Sequence, residues 1–175
     1  MSPAMACGLE QRLWGIGDIV ELIEKKNRVR GHMDGAELMR KVVAAFEKSD
    51  LQPLFDAVHE NIVWKTASNQ EGLFRFGGEY KDRPGLLAIL ATLSKDYTFY
   101  RFSAKEIIAV GDIVWGHFDV GLFFDPKGAG EPKKHITLEM AVRWRLKDGK
   151  IIEHQGFFDT ASLLIQQGSR SPPQP

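Results

Sequence analysis

At 175 residues the chain is long enough for one domain with a sizeable core and some excess at its ends. Lys and Arg number 23 and Asp and Glu 23, a balance that argues against nucleic acid or an anionic membrane as partner, since both need a one-signed basic face. Cys7 is the single cysteine, which excludes an internal disulfide and a thiolate metal cluster; with no apolar run near the ~20 residues of a spanning helix and no secretory leader in Met1–Gly8, the expected compartment is the cytoplasm.

Residues 1–33 read as an appendage. Trp14, Ile16, Ile19, Val20, Leu22 and Ile23 suit one short amphipathic helix, and Lys25, Lys26, Arg28 and Arg30 make a basic linker whose ordinary role is solvation. The domain is expected over 34–168. Asp34-Gly-Ala-Glu37 is a capping-box pattern, with Leu38, Val42, Ala45 and Phe46 following at helical spacing. Ser49-Asp50 opens a second short helix carrying Leu51, Leu54, Phe55 and Val58. Ile62–Thr66 is β-branched and aromatic enough for a strand, and Ser68–Gly78 is a glycine-rich loop interrupted by Phe74 and Phe76. Asp82-Arg-Pro84 starts a third helix, because proline in the first turn has no amide to waste, and Leu86, Leu90 and Leu93 are its buried stripe.

Beyond Asp96 the pattern alternates. Tyr97–Val110 and Ile113–Phe124 read as long strands joined by a tight Gly111-Asp112 turn, and a loop at Asp125–Lys134 leads to a further hairpin. From Ile136 to Leu146, the residues Ile136, Leu138, Met140, Val142, Trp144 and Leu146 alternate with Thr137, Glu139, Ala141, Arg143 and Arg145, which gives that strand two chemically different faces. Asp148-Gly149 is a two-residue turn whose positions both tolerate φ > 0, and the return strand runs from Lys150 to Phe158. Counting outward from the turn sets Arg143 opposite His154 and Glu139 opposite Phe158. A last helix starts at Asp159 and stops near Gly168, and 169–175, with three prolines, is a frayed tail. Helices first and an antiparallel meander afterwards predict an α+β domain: a cone-shaped, curved antiparallel or mixed sheet, about three N-terminal helices on its concave face over a cavity, and a short C-terminal helix.

The order of these elements, with Phe46-Glu-Lys-Ser-Asp-Leu-Gln-Pro-Leu-Phe55, Ile62-Val-Trp64, Gly78-Glu-Tyr-Lys-Asp-Arg-Pro-Gly85 and Asp148-Gly-Lys-Ile-Ile-Glu-His-Gln-Gly-Phe-Phe-Asp159, resembles the SnoaL-like (polyketide cyclase-like) branch of the nuclear transport factor two-like superfamily, whose fold is cystatin-like. The resemblance spans about Asp34–Gly168. It implies the fold more than the chemistry, since this architecture serves isomerases, dehydratases, cyclases and non-catalytic binders. Ketosteroid isomerases of that superfamily use an aspartate base with a tyrosine and a protonated aspartic acid as oxyanion donors. Lys65, Val42 and Val142 or Arg143 stand at the corresponding positions here, so that activity is not implied. The cyclase relatives imply an acid–base role for Asp159, with Arg143 as the cation receiving the developing charge. Separately, Ser2-Pro-Ala-Met-Ala-Cys-Gly-Leu9 and Leu13-Trp14 resemble the carboxy-terminal tail of some insertion-element transposases, which implies a fusion relic or a misplaced start.

Candidate catalytic residues are therefore Asp159, His154 and Arg143. Asp159 also suits the N-cap of the last helix, and the two roles are compatible. His117, Asp119 and Glu139 lie on the same predicted strand face as Arg143 and, with it and His154, would make a polar cavity floor that holds a carbonyl or carboxylate; the bland alternative is a solvated sheet face. Trp64, Tyr80, Trp115 and Phe158, together with Tyr97 and Phe99, are candidate cavity walls or plain core. Arg143 between His117 and His154 would repel a cation, so no metal is expected. With no phosphate-cradling glycine loop, Gly-x-Ser-x-Gly elbow or His-Glu-x-x-His in the sequence, no cofactor is expected either. The face carrying Val114, Phe118, Met140, Val142 and Trp144 is too apolar for water and implies a covering partner, and a homodimer through the sheet backs is what the resemblance implies. Two functions follow: cofactor-independent acid–base catalysis on a small hydrophobic or carbonyl-containing metabolite, or non-catalytic binding of such a molecule. A purely structural dimerisation module would need the cavity filled by aromatic side chains.

Overall fold

The computed structural model describes residues 34–68, 73–125 and 132–169. The appendage at 1–33, the tail from 170 onward and the centres of two loops (69–72 and 126–131) fall outside the described residues. Helices α1 (Gly35–Phe46) and α2 (Gln52–Ala57) come first, then β1 (Val58–Lys65), β2 (Glu79–Lys81) and α3 (Asp82–Asp96). The second half is β3 (Tyr97–Val110), β4 (Ile113–Phe124), β5 (Lys134–Lys147), β6 (Lys150–Phe158) and α4 (Thr160–Gln166). Among the described residues, no helix is long and apolar enough to cross a membrane.

One curved, open, mixed sheet runs β2-β1-β6-β5-β4-β3; β1 lies parallel to β6, and every other pairing is antiparallel. The short edge strand β2 and the early start of β1 at Val58 are not legible from local pattern. Val58 ends the expected second helix because its side chain is fully buried as a strand residue beneath Arg83, which donates to the Phe55 and Val58 carbonyls. Pro53 and Pro84 each sit in the first turn of their helix, where no amide is wanted. Two register shifts in β3, at Phe99/Arg101 and Ala104/Glu106, are bulges that bend this long strand.

The β5–β6 hairpin departs from the expected register by one residue. Its turn is as the sequence predicts, with Asp148 at φ 50° and Gly149 at φ 75°. Lys147 faces Lys150 and Leu146 faces Ile151, but Arg145 then faces Glu153, which leaves Ile152 as an extra residue. From there Trp144 faces His154, Arg143 faces Gln155 and Met140 faces Phe158. A shift of one residue exchanges the two faces of a strand. His154 therefore leaves the charged face that carries Arg143 and joins the apolar face that carries Trp144.

That apolar face is the inner one. Val114, Phe118, Val142 and Trp144 are buried beneath the helices, not left for a partner as the sequence suggested. Gly116 belongs to the same layer, where a Cβ would meet the Phe118 ring at 2.5 Å and Trp144 at 2.9 Å. The face turned away from the helices is the one with Arg143, His117, Asp119 and Glu139.

Candidate functional site

A cavity of about 280 Å³ lies against the inner sheet face, under Met39 and Val42 of α1 and Ile89 and Leu90 of α3. It is not filled by aromatic side chains, as a purely structural module would require. Eight of its lining residues are nonetheless Phe, Tyr or Trp, so the walls favour flat apolar surfaces. Trp64 and Phe158, expected as walls, line it, as do Tyr97 and Phe99. Tyr80 does not; it packs on the core beside Gly85.

Four polar side chains reach the lining: Thr66, Ser94, Tyr97 and His154. Three are engaged within the protein. The Thr66 hydroxyl accepts from the Gly78 amide at 2.9 Å and donates to the Ser68 carbonyl at 3.0 Å, which ties down both ends of the loop after β1. Ser94 donates to the Ala91 carbonyl within its own helix. The Tyr97 hydroxyl accepts from Gln167 of α4's C-cap. Burial pushes the Tyr97 phenol up to about 12, against the Gln167 hydrogen bond and with help from the neighbouring Asp96 charge.

His154 differs. Its ring stacks on Trp64 with centroids 3.5 Å apart and planes within 7°, and Trp144 meets it edge-on at 6.2 Å. The side chain is buried, and Nδ1 has no hydrogen-bond partner among the described residues. Burial pushes the imidazole down to about 3, only partly offset by the backbone of Lys65 and of His154 itself. At neutral pH this ring is uncharged, a neutral stacking partner for Trp64 in an otherwise apolar wall.

The other candidates are not brought to this cavity. Asp159 is exposed and caps α4, its Oδ1 accepting from the Ser162 amide at 2.9 Å. Arg143 is paired with Glu153 at 3.2 Å on the outer face. On that face Asp119 accepts from Arg101 at 3.0 Å, and His117 lies 3.2 Å from Glu139, which Lys105 also contacts. Lys105 and then His117 hold the Glu139 carboxyl below the usual carboxylate range. Trp115 is outward too, opposite Arg143 and stacked on Phe157 at 5.8 Å across the small Ala141. His117 and His154 thus emerge on opposite faces, which removes the shared polar floor. Among the described residues no group of three or more His, Cys, Asp or Glu is placed to hold a metal. Of the three isomerase-like positions, Val42 and Val142 line the cavity and Lys65 pairs with Glu79 at 3.3 Å.

Trp144, Met140 and Gly156 also line the cavity, and sequence reasoning either set them on the other face or passed them over. Gly156 follows His154 by two on the same strand face, which was the available signal, and a Cβ there would meet Met140 at 2.6 Å.

A domain of this architecture, with helices closing a lined cavity on a six-stranded mixed sheet, defines a cystatin-like α+β class. The chain belongs to the SnoaL-like domain family, whose sequence model matches residues 39–154. Similar solved structures include a nuclear transport factor two-like protein of unknown function from Burkholderia pseudomallei, at 18% identity and TM-score 0.64 over 75% of this chain and 96% of that one. TerC, co-crystallised with polyporic acid, is 21% identical with TM-score 0.62, covering 73% of this chain and 92% of its own. A protein of unknown function with a cystatin-like fold from Xanthomonas campestris is 18% identical with TM-score 0.58, covering 73% and 92%. No curated protein matches the chain.

Proposed function

We propose that this SnoaL-like domain binds a small apolar molecule in the inner cavity and holds it without transforming it. The observation that carries this is the chemistry of the lining: its titratable side chains are His154 and Tyr97, and neither is charged near neutral pH. A general base works best with a pKa near the operating pH, and an oxyanion needs a donor or cation aimed at it. His154 is too weak a base and Tyr97 too weak an acid, while Asp159 and Arg143 lie elsewhere. TerC, which shares the fold, was co-crystallised with a small molecule, which suits the same reading.

Filling the cavity tests it. Leu138→Trp places a ring in the space from a partly buried lining position. The wild type is expected to gain thermal stability with apolar two-ring ligands, and the variant to show no such gain. Equal responses from the two proteins would place binding outside the cavity. Turnover of a bound carbonyl compound by the wild type that survives Asp159→Ala but not His154→Phe would favour acid–base catalysis instead.

We further propose that a second copy of the chain covers the outer sheet face. Trp115, Phe157 and Ile108 stand there 39%, 44% and 50% exposed, among charges that are already paired within the face. A neutral patch of this kind meets its own two-fold copy without like-charge repulsion.

A further inference from the structure

We infer that Met140, lying across Gly156, is the specificity-determining residue of the cavity and sets the upper size of the flat apolar ligand it admits. This rests on the cavity being the ligand site. On the inner face of β6, His154 and Phe158 each carry a ring, and Gly156 between them carries none. The Met140 Cε fills that notch: a Cβ built on Gly156 would lie 2.6 Å from it, well inside van der Waals contact. Both residues line the cavity. A side chain at 156 would therefore drive the Met140 methyl out of the notch and towards the cavity.

Other walls are less free to move. Met39, Ile89, Val120 and Val142 are almost wholly buried, so close packing fixes where they stand. Trp64 is stacked on His154, and Phe76 and Phe158 are held in a ring cluster with Phe74. Met140 is only partly buried, and its unbranched thioether chain has three rotatable bonds, which lets one residue fill or vacate a gap. An apolar cavity of roughly 150 Å³ holds benzene. The space here, about 280 Å³ with the Met140 methyl seated over Gly156, suits two fused rings and no third. Removing the methionine side chain beyond Cβ would add the notch to that space, and crowding it from 156 would take space away. The two changes move the size limit in opposite directions.

The test measures the affinities of radiolabelled benzene, naphthalene and phenanthrene by equilibrium dialysis. These hydrocarbons carry no hydrogen-bonding group, so the comparison reads shape alone. The wild type is expected to prefer naphthalene to both of the others. Overpacking a filled space costs roughly five- to hundredfold in affinity. Gly156→Ala should therefore weaken naphthalene about tenfold and benzene about threefold or less. Met140→Ala should strengthen phenanthrene about tenfold relative to naphthalene. In the double variant the effect of Gly156→Ala on naphthalene should vanish, because no methionine remains to be displaced. Should Met140→Ala fail to fold, Met140→Leu takes its place in the pair, being close in volume and shorter in reach, and should likewise relieve Gly156→Ala. Naphthalene weakened by Gly156→Ala equally with and without the Met140 substitution, or not weakened at all, overturns the role of Met140 while leaving the cavity as a binding site. A wild type that binds none of the three overturns the cavity reading and this inference together.

Discussion

An imidazole in water takes up a proton near neutrality, and His154 is prevented from doing so by where it lies. Its folded-state pKa is about 3 against an ordinary 6.5, with burial the leading cause. Between those values the unfolded chain carries a proton that the folded chain refuses, so the unfolded state binds more protons and stability must rise with pH across that window. Acidification below about pH 6.5 is therefore expected to remove at most about 1.4 kcal/mol of this contribution per pH unit, the full loss being reached near the folded pKa. His154→Phe has no such proton to refuse. Urea unfolding of both proteins at a series of pH values should show the wild type's advantage shrinking, or its deficit growing, as pH falls. A wild-type-minus-variant difference that stays flat between about pH 4 and pH 6 would mean that the ring titrates alike in both states and is not buried.

At the scale of elements, much of the layout was legible and the faces were not. Tyr97–Val110 and Ile113–Phe124 have the bounds that alternation gives them, and the Asp148-Gly149 turn has the positive φ values its residue types announce. What local pattern cannot carry is the extra residue in β6. Ile152 is β-branched and fits a regular strand, so nothing in the sequence marks it as a bulge. That one residue separates His154 from Arg143 and gives Glu153 to Arg143, and the expected charged floor became an outer ladder of ion pairs. The β4–β5 pairing shows the converse. Arg143 faces Trp115, two residues from the expected His117, and a shift of two preserves the face. The last helix carries its own test. Asp159 supplies its N-cap through Ser162, while Leu163 and Leu164 dock into the core. Asp159→Ala should cost about 1 kcal/mol of unfolding free energy. It should leave ligand affinity unchanged, because the carboxylate is exposed and outside the cavity lining. A large loss of affinity with unchanged stability would return Asp159 to the site.

For the molecule as a whole, the two sheet faces divide the work. The inner face, closed by helices, provides an apolar space walled largely by aromatic side chains. Among the described residues no helix lies on the outer face, which carries Trp115 and Phe157 stacked together, with Ile108 beside Trp115 on β3. The surrounding ion pairs of Arg101 with Asp119, His117 with Glu139 and Arg143 with Glu153 add little stability where they are exposed. They do leave the surface nearly neutral, which permits a two-fold copy to approach. Buried aromatic anchors at the centre of such an interface would dominate its affinity, with the paired charges forming the rim. Light scattering coupled to gel filtration should then give about twice the 19.7 kDa chain mass. Trp115→Glu combined with Phe157→Glu should give the single-chain mass while preserving the circular dichroism of the fold, since both side chains are outside the core. Dimerisation also couples to stability, so the wild-type melting temperature should climb with protein concentration and that of the double variant should not. A wild type that runs as a single chain from micromolar to millimolar concentration, with a melting temperature independent of concentration, would show that these aromatic rings face water and that the second copy has no place on this sheet.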